Sequence, residues 1–258
     1  MALTKVTGAG VEGVTISSTT DVSDQFILTN TDTGSSSGPD LVLFRQSTSS
    51  AADSDGIGRI DYRGLNDANE EINYATTYAK ISDASDGTED GEFYIQQISG
   101  GSYVTTLKID GSGAVTKPLQ PAFGVYKTSG QNNIAVGSGN TITWDAEYFD
   151  NNADFASNTF TAPVTGKYLL GCRLRTDNVD SGATYYYIMI ATSNRNYYNI
   201  MSTDRVSGEQ PYFFFQITEL TDMDANDTAY ISFYQAGGTA QTDIDTSAKT
   251  SFWGHLVC

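Results

Sequence analysis

Apolar and polar positions alternate in short runs along this chain, and Gly, Thr, Ser, Asn and Asp interrupt them at intervals of roughly 8 to 12 residues, the spacing of sandwiches and barrels. No window sustains the i, i+3, i+4, i+7 stripe of an amphipathic helix. The pattern predicts an all-β protein. In the first half it predicts strands over Gln25–Thr29, Leu41–Arg45, Gly58–Tyr62, Ile72–Ile81, Glu92–Ile98 and Val104–Ile109, joined by loops rich in Asp, Ser and Gly. In the second half the runs lengthen and become aromatic. They predict strands over Ala122–Lys127, Thr141–Trp144, Thr159–Ala162, Gly166–Leu174, Ala183–Ala191, Tyr212–Leu220, Thr228–Gln235 and Ser251–Val257, a number that suits a jelly roll.

The clearest boundary is Lys117-Pro118-Leu119-Gln120-Pro121, which holds two of the five prolines. Proline removes a ladder donor and stiffens the backbone, so residues 118–121 read as a linker. The division is then residues 1–24, an N-terminal docking segment; 25–117, a β-rich shaft; and 122–258, a jelly-roll knob. Met1 to Thr20 are small, polar and Gly-rich, too poor in apolar groups to offset chain entropy alone. They read either as a frayed terminus or as a segment that orders against a partner.

Burial argues for association. The strands of the shaft offer few large apolar groups each, a thin core for a monomer, and thin β modules gain burial by pairing with copies of themselves. Tyr185-Tyr186-Tyr187-Ile188-Met189-Ile190 and Tyr212-Phe213-Phe214-Phe215 are bulky on both faces, whereas one sandwich needs one apolar face per strand.

Several phrases carry resemblances. Gly56-Ile57-Gly58-Arg59-Ile60-Asp61-Tyr62-Arg63-Gly64, the run from Tyr74 to Ser82, and Leu107-Lys108-Ile109-Asp110-Gly111 resemble shaft regions of bacteriophage fibre and appendage proteins. Pro121-Ala122-Phe123, the run Phe160-Thr161-Ala162-Pro163-Val164-Thr165-Gly166-Lys167-Tyr168, and Ser251-Phe252-Trp253-Gly254-His255-Leu256-Val257 resemble, in that order, the globular head of the complement one-q family, a relative of the tumour necrosis factor fold. The turn within Leu220–Ile231 is similar too. Leu170 and Cys172 stand where that family places aromatics. The resemblance implies a jelly-roll sandwich assembled as a homotrimer, with Tyr185, Tyr187, Phe213, Phe215 and Trp253 buried between subunits. It also implies calcium at the trimer apex, for which Asp222, Asp224 and Asp227 are the candidates. Asp222-Met223-Asp224-Ala225-Asn226-Asp227 is equally a plain β-turn sequence, and the twelfth position of a calcium loop counted from Asp222 is Phe233 rather than Glu. Gly166 is expected to permit a tight turn into its strand, and Gly254 a close neighbour on an inner one.

Charge narrows the function classes. Thirty-one acidic side chains against fourteen basic ones give a net charge of −17. Binding to nucleic acid or an anionic membrane surface needs the opposite field. No apolar run reaches the roughly 20 residues of a membrane helix, and no signal-like pattern opens the chain. Cys172 and Cys258 are too few for a disulfide scaffold; they are expected as buried free thiols, with pairing on neighbouring strands left open. The one histidine, His255, lies in the last strand with no nucleophile positioned by sequence, and reads as a structural or interface residue. Glu70-Glu71 and Glu89-Asp90 read as solvated loop charges rather than an acid–base pair. Val136-Gly137-Ser138-Gly139-Asn140 precedes a strand, not the helix a phosphate loop requires. Tyr197 and Tyr198, beside Asn194 and Arg195, offer rings and polar groups suited to a glycan, and read either as a receptor surface or as packing.

Together these features lead to the expectation of a non-enzymatic virion fibre: residues 1–20 docked to other virion proteins, a trimeric shaft, and a knob that binds a host cell-surface glycan or protein. An architectural capsid or tail decoration protein and a secreted bacterial lectin-like module are the alternatives.

Overall fold

Alternation of β-branched or aromatic residues with polar ones favours pleated strands over helices, and among the described residues the chain forms strands only. The computed structural model describes residues 27–31, 33–35, 38–46, 49–204, 208 and 210–258, without the side chains of residues 247 and 248. The N-terminal docking segment lies outside the described residues.

A five-stranded antiparallel meander comes first: β1 (Gly56–Leu65), β2 (Glu71–Asp83), β3 (Asp90–Ser99), β4 (Ser102–Ile109) and β5 (Val115–Thr116), hydrogen-bonded in that order. Its register separates two chemistries. Ile60, Thr77, Ile95 and Leu107 lie side by side across four strands on one face, and Asp61, Thr76, Gln96 and Thr105 do so on the other. The apolar face is left partly open, with Ile60, Tyr62, Phe93 and Ile95 all well exposed.

Two sequence-predicted strands do not form. Ile27–Thr29, the described part of Gln25–Thr29, and Leu41–Arg45 carry no ladder. They find no partner strand among the described residues, and Ile27, Val42 and Phe44 stay largely exposed. Leu43 is used differently: a Cβ on Gly58 would stand 2.7 Å from Leu43 Cβ, so the leucine rests on the bare backbone of β1. The Arg45 guanidinium donates to the Gly56 carbonyl (3.0 Å) and pairs with Asp55 (3.1 Å).

The proline segment is a turn rather than an extended spacer. The Gln120 amide donates to the Lys117 carbonyl (3.0 Å), placing Pro118 second in the turn, where its fixed φ fits. Gln120 Nε2 then donates to the Leu256 carbonyl (3.0 Å), and the Leu256 amide to Pro121 O (2.9 Å).

Beyond it two six-stranded antiparallel sheets make a jelly-roll sandwich. The strands are β6 (Ala122–Lys127), β7 (Asn140–Thr141), β8 (Ala146–Asp150), β9 (Phe155–Ala156), β10 (Thr159–Thr161), β11 (Gly166–Val179), β12 (Ala183–Thr192), β13 (Asn196–Ser202), β14 (Gln210–Met223), β15 (Thr228–Gly237), β16 (Asp243–Ile244) and β17 (Ser247–Leu256). One sheet runs β13-β12-β15-β10-β9, with β7 also on β15; the other runs β14-β11-β17-β6-β8, with β16 also on β11. Most connections cross between the sheets, all but β9–β10, β12–β13 and β16–β17, which is the connectivity of a jelly roll. β8 and β13 fall in stretches predicted as loops, Thr141–Trp144 pairs only through Asn140–Thr141, and β11 and β14 run longer than their predicted cores.

Rings fill the space between the sheets. Phe123 stacks on Phe155 (5.1 Å) and Phe160 (4.7 Å) and meets the edge of Phe252 (4.9 Å). A second group joins Tyr186, Phe215 and Phe233. Gly254 leaves the room they need: a Cβ there would lie 2.4 Å from Leu170 Cδ2 and 2.8 Å from Phe123 Cε1. Gly166 works the same way, not by a special turn, since its Cβ would meet Leu256 Cδ1 at 2.5 Å and the Cys258 carbonyl at 2.7 Å. Between β6 and β8, the Asp145 carboxylate accepts the Thr128 amide (2.5 Å), the Ser129 amide (2.9 Å) and the Ser129 hydroxyl. Desolvation pushes its pKa up, but these bonds together outweigh that and hold it at about 2.

Two outcomes follow from this packing. Gly254→Ala should destabilise the sandwich by about 1–3 kcal/mol, the usual cost of overpacking, read as a lowered thermal midpoint. Because Asp145 is depressed in the folded state, its contribution is complete above the unfolded pKa of about 3.9 and drains away as pH falls towards about 2. Melting curves between those limits should therefore fall less steeply with acid for Asp145→Asn than for the native protein.

Candidate functional site

The β12–β13 turn and the β14–β15 turn lie side by side because β12 and β15 are paired neighbours. Arg195 Nη2 contacts Asp222 Oδ2 (2.7 Å), and Asn194 Nδ2 donates to the Asp222 carbonyl (3.0 Å). Ser193 and Thr228 share a hydroxyl contact (3.1 Å). Asn194 and Arg195 are thereby engaged in joining two turns. Tyr197 packs inward on the core, while Tyr198 is exposed with its ring edge on Tyr187 (5.2 Å). The four residues expected as one receptor surface are thus divided: Asn194 and Arg195 are exposed but tied to the neighbouring turn, Tyr197 turns inward, and Tyr198 is open on the outer face.

The candidate calcium ligands are divided too. Asp222 faces Arg195, whereas Asp227 Oδ2 accepts the Asp224 amide (2.8 Å) and the Asp227 amide donates back to the Asp224 carbonyl (3.0 Å). That is a β-turn, with Asn226 at φ 74°, a conformation asparagine tolerates. Among the described residues no three His, Cys, Asp or Glu side chains converge to hold a metal.

The five expected interface residues occupy different surfaces. Phe215 is only 4% exposed and belongs to the subunit's own core, against Tyr186 and Phe233; the register of β14 against β11 turns it inward opposite Leu174. Phe213 follows it to the rim of that core, edge-on at 4.9 Å. Tyr185 and Tyr187 lie on the outer face of one sheet and Trp253 on the outer face of the other.

Those outer faces differ in chemistry. On the first, Tyr234 stacks between Tyr187 (4.8 Å, 5°) and Tyr185 (5.8 Å, 24°), and Tyr198 closes the row against Tyr187. Every ring in this ladder carries a hydroxyl. Mutual burial raises the Tyr187 pKa, desolvation being the main cause and the neighbouring phenols adding to it. On the second, an open groove of about 500 Å³ is walled by Tyr148, Phe149, Trp253 and His255 over the backbone of β6 and β17. Trp253 lies on Gly171, whose Cβ would come within 2.2 Å of the indole. Tyr148, 52% exposed, and Phe149, 49% exposed, are stacked or laid along β6. Phe214 and Leu220 extend the apolar character across β14. Tyr148, Phe149 and Tyr234 went unnoticed in the sequence because β8 read as a loop and β15 as an ordinary core strand; the Tyr148-Phe149 pair was the available signal.

The cysteines are separate. Cys172 is buried opposite Phe252, and burial pushes its thiol pKa well up. Cys258 is exposed, contrary to expectation, with its carbonyl on the Lys167 amide (2.7 Å). Five residues of strand separate those positions, about 16 Å at the rise of a β-strand, so the two thiols of one subunit cannot bridge.

No family model matches the chain, and no curated protein matches it. Solved structures similar to part of it include the globular domain of zebrafish complement 1qA protein, 15% identical with a TM-score of 0.37 over 54% of this chain and 98% of that one. Murine APRIL is another, 11% identical with a TM-score of 0.40 over 54% and 99%.

The Arg195–Asp222 pair is exposed, and such pairs contribute only about 0.2–1 kcal/mol. A double-mutant cycle of Arg195→Ala and Asp222→Ala should return a coupling in that range by chemical denaturation, with no dependence on added calcium.

Proposed function

We propose that three copies of this chain form a short bacteriophage virion fibre, with a β shaft, a jelly-roll knob, and a knob surface that attaches to a host-cell glycan or protein. The observation that carries this reading is the pair of uncovered apolar sheet faces: Ile60, Tyr62, Phe93 and Ile95 on the meander, and Phe149, Phe214, Leu220 and Trp253 on the sandwich. A single sheet layer does not stand alone in water with a bare apolar face. Copies of the same chain cover both faces at once, and threefold symmetry lets three meanders turn their apolar faces to a common axis. The resemblance of the Gly56–Gly64 phrase to fibre shafts supports the same arrangement.

The tyrosine ladder then faces outward. Tyrosine suits a wetted recognition surface, since it stacks on a ligand through its ring and hydrogen-bonds through its hydroxyl. Three ladders per fibre and many fibres per particle convert weak single contacts into durable attachment. Residues 1–20 would hold the fibre to the virion.

Sedimentation of the full chain at micromolar concentration should give about three times the subunit mass of 27.8 kDa. Trp253→Glu, or Phe149→Glu on the rim if the first fails to fold, should reduce it to one subunit. The labelled trimer should adhere to bacterial cells, and Tyr198→Ser should lose adhesion at unchanged mass. A folded native monomer would overturn the assembly, and adhesion indifferent to the ladder would overturn the attachment role.

A further inference from the structure

We propose that the polar face of the five-stranded sheet carries a binding site for a neutral saccharide. This site lies on the shaft rather than the knob and stands whether or not the tyrosine ladder binds anything.

A cavity of about 380 Å³ opens on that face, within the range of small-molecule sites. Its walls come from four adjacent strands. Register sets Arg59 directly beside Tyr78, Asp61 beside Thr76, and Thr76 beside Gln96, so these side chains must point the same way. Asp61 is the anchor beneath. It is held by Arg59 Nε (2.9 Å) and Arg63 Nη2 (2.8 Å), and Arg63 Nη1 reaches Glu71 (2.9 Å). The hydrogen bond from Arg63 chiefly keeps Asp61 ionised down to about pH 2. Two guanidinium groups are thereby fixed in place, and Arg59 is engaged through Nε, which leaves its terminal amino groups as donors at the cavity wall.

Across the cavity from these donors lies the side-chain amide of Gln96, while Asn73, the register partner of Arg63, lies in the wall with its Oδ1 buried and without a hydrogen bond. Tyr103 donates its hydroxyl to the Asn73 carbonyl (2.7 Å), which places a second ring at the mouth. The first ring, Tyr78, is backed by Tyr94 in a near-parallel stack (4.6 Å, 3°) and is stiffened by it.

Rings, fixed donors and the Gln96 side-chain amide in one shallow cavity match the surface of a pyranose. Its C–H face lies on an aromatic ring, and its hydroxyls both accept from guanidinium and donate to an amide oxygen. The charges decide between neutral and acidic sugars. Asp61 and Glu71 pair with Arg59 and Arg63, and Glu92 with Lys108, so both guanidinium groups are already matched by carboxylates; Lys80, 5.9 Å from the Tyr78 ring, adds one charge that does not line the cavity. The chain's net charge of −17 repels polyanions further.

The test uses the full chain on an array of neutral oligosaccharides ending in galactose, glucose, mannose or N-acetylglucosamine, with sialylated and uronate-containing ones beside them. Titration calorimetry then follows the strongest neutral hit. Arg59→Ala should weaken it at least about tenfold, a loss of about 1.4 kcal/mol. Tyr198→Ala should leave it unchanged. If Arg59→Ala does not fold, Gln96→Ala on the opposite wall should produce the same loss. Binding of acidic glycans only, of no glycan at millimolar concentration, or of a neutral glycan indifferent to these cavity substitutions would overturn the proposal. None of those results would alter the sedimentation mass, so failure here is distinct from failure of the trimer.

Discussion

A β-sheet has two faces, and water tolerates an apolar one only when another layer covers it. The described residues of this chain build three sheets and therefore six faces. Two meet inside the sandwich, where Phe123, Phe160, Tyr186 and Phe233 are excluded from water. Of the four left over, one is polar, one is a ladder of tyrosines, and two are apolar and largely exposed among the described residues. The architecture follows from that imbalance. A subunit that completed its own burial would need a further layer, and among the described residues none is present: Leu43 covers Gly58 at one end of the meander, but Ile60, Phe93 and Ile95 remain open beyond it.

Much of this was legible in the amino-acid order. Period-two alternation revealed the strand class, Pro118 and Pro121 marked the division between the meander and the sandwich, and the surplus of rings indicated more apolar surface than one sandwich buries. Which ring lies on which face was not legible. Tyr185-Tyr186-Tyr187 and Phe213-Phe214-Phe215 each alternate between faces, but the sequence does not say which parity points inward. The pairings Phe215–Leu174 and Tyr186–Gln235 decide it, and both depend on partners far along the chain. The cluster of Asp222, Asp224 and Asp227 misled for a related reason: alternation along β14 and the turn after it separate carboxylates that are close in sequence. Arg59, Asp61 and Arg63 drew no notice as a site, because their meaning comes from Asn73, Tyr78 and Tyr103 on other strands.

Glycine placement ties the inside of the sandwich to its outer groove. Gly254 gives its inward space to Leu170 and Phe123, while Gly171 gives its outward space to the indole of Trp253. The same two strands, β11 and β17, thus pack the core on one side and shape the aromatic groove on the other. A shift in either strand would disturb both, so the packing of the core and the shape of the groove are mechanically linked. Such coupling is usual where a subunit exposes too much apolar surface to be stable alone.

The division of aromatic types between the faces carries the argument to its end. Phe149, Phe214, Leu220 and Trp253 give one outer face of the sandwich its apolar character, with Tyr148 and Tyr212 on its two edge strands. On the other outer face Tyr185, Tyr187, Tyr198 and Tyr234 stand together, each with a ring to stack and a hydroxyl to hydrogen-bond. The distribution matches a molecule that associates with itself through one side and meets a polar surface with the other. The acidic surplus, spread over the remaining surface, keeps such assemblies apart from one another while leaving uncharged ligands free to approach.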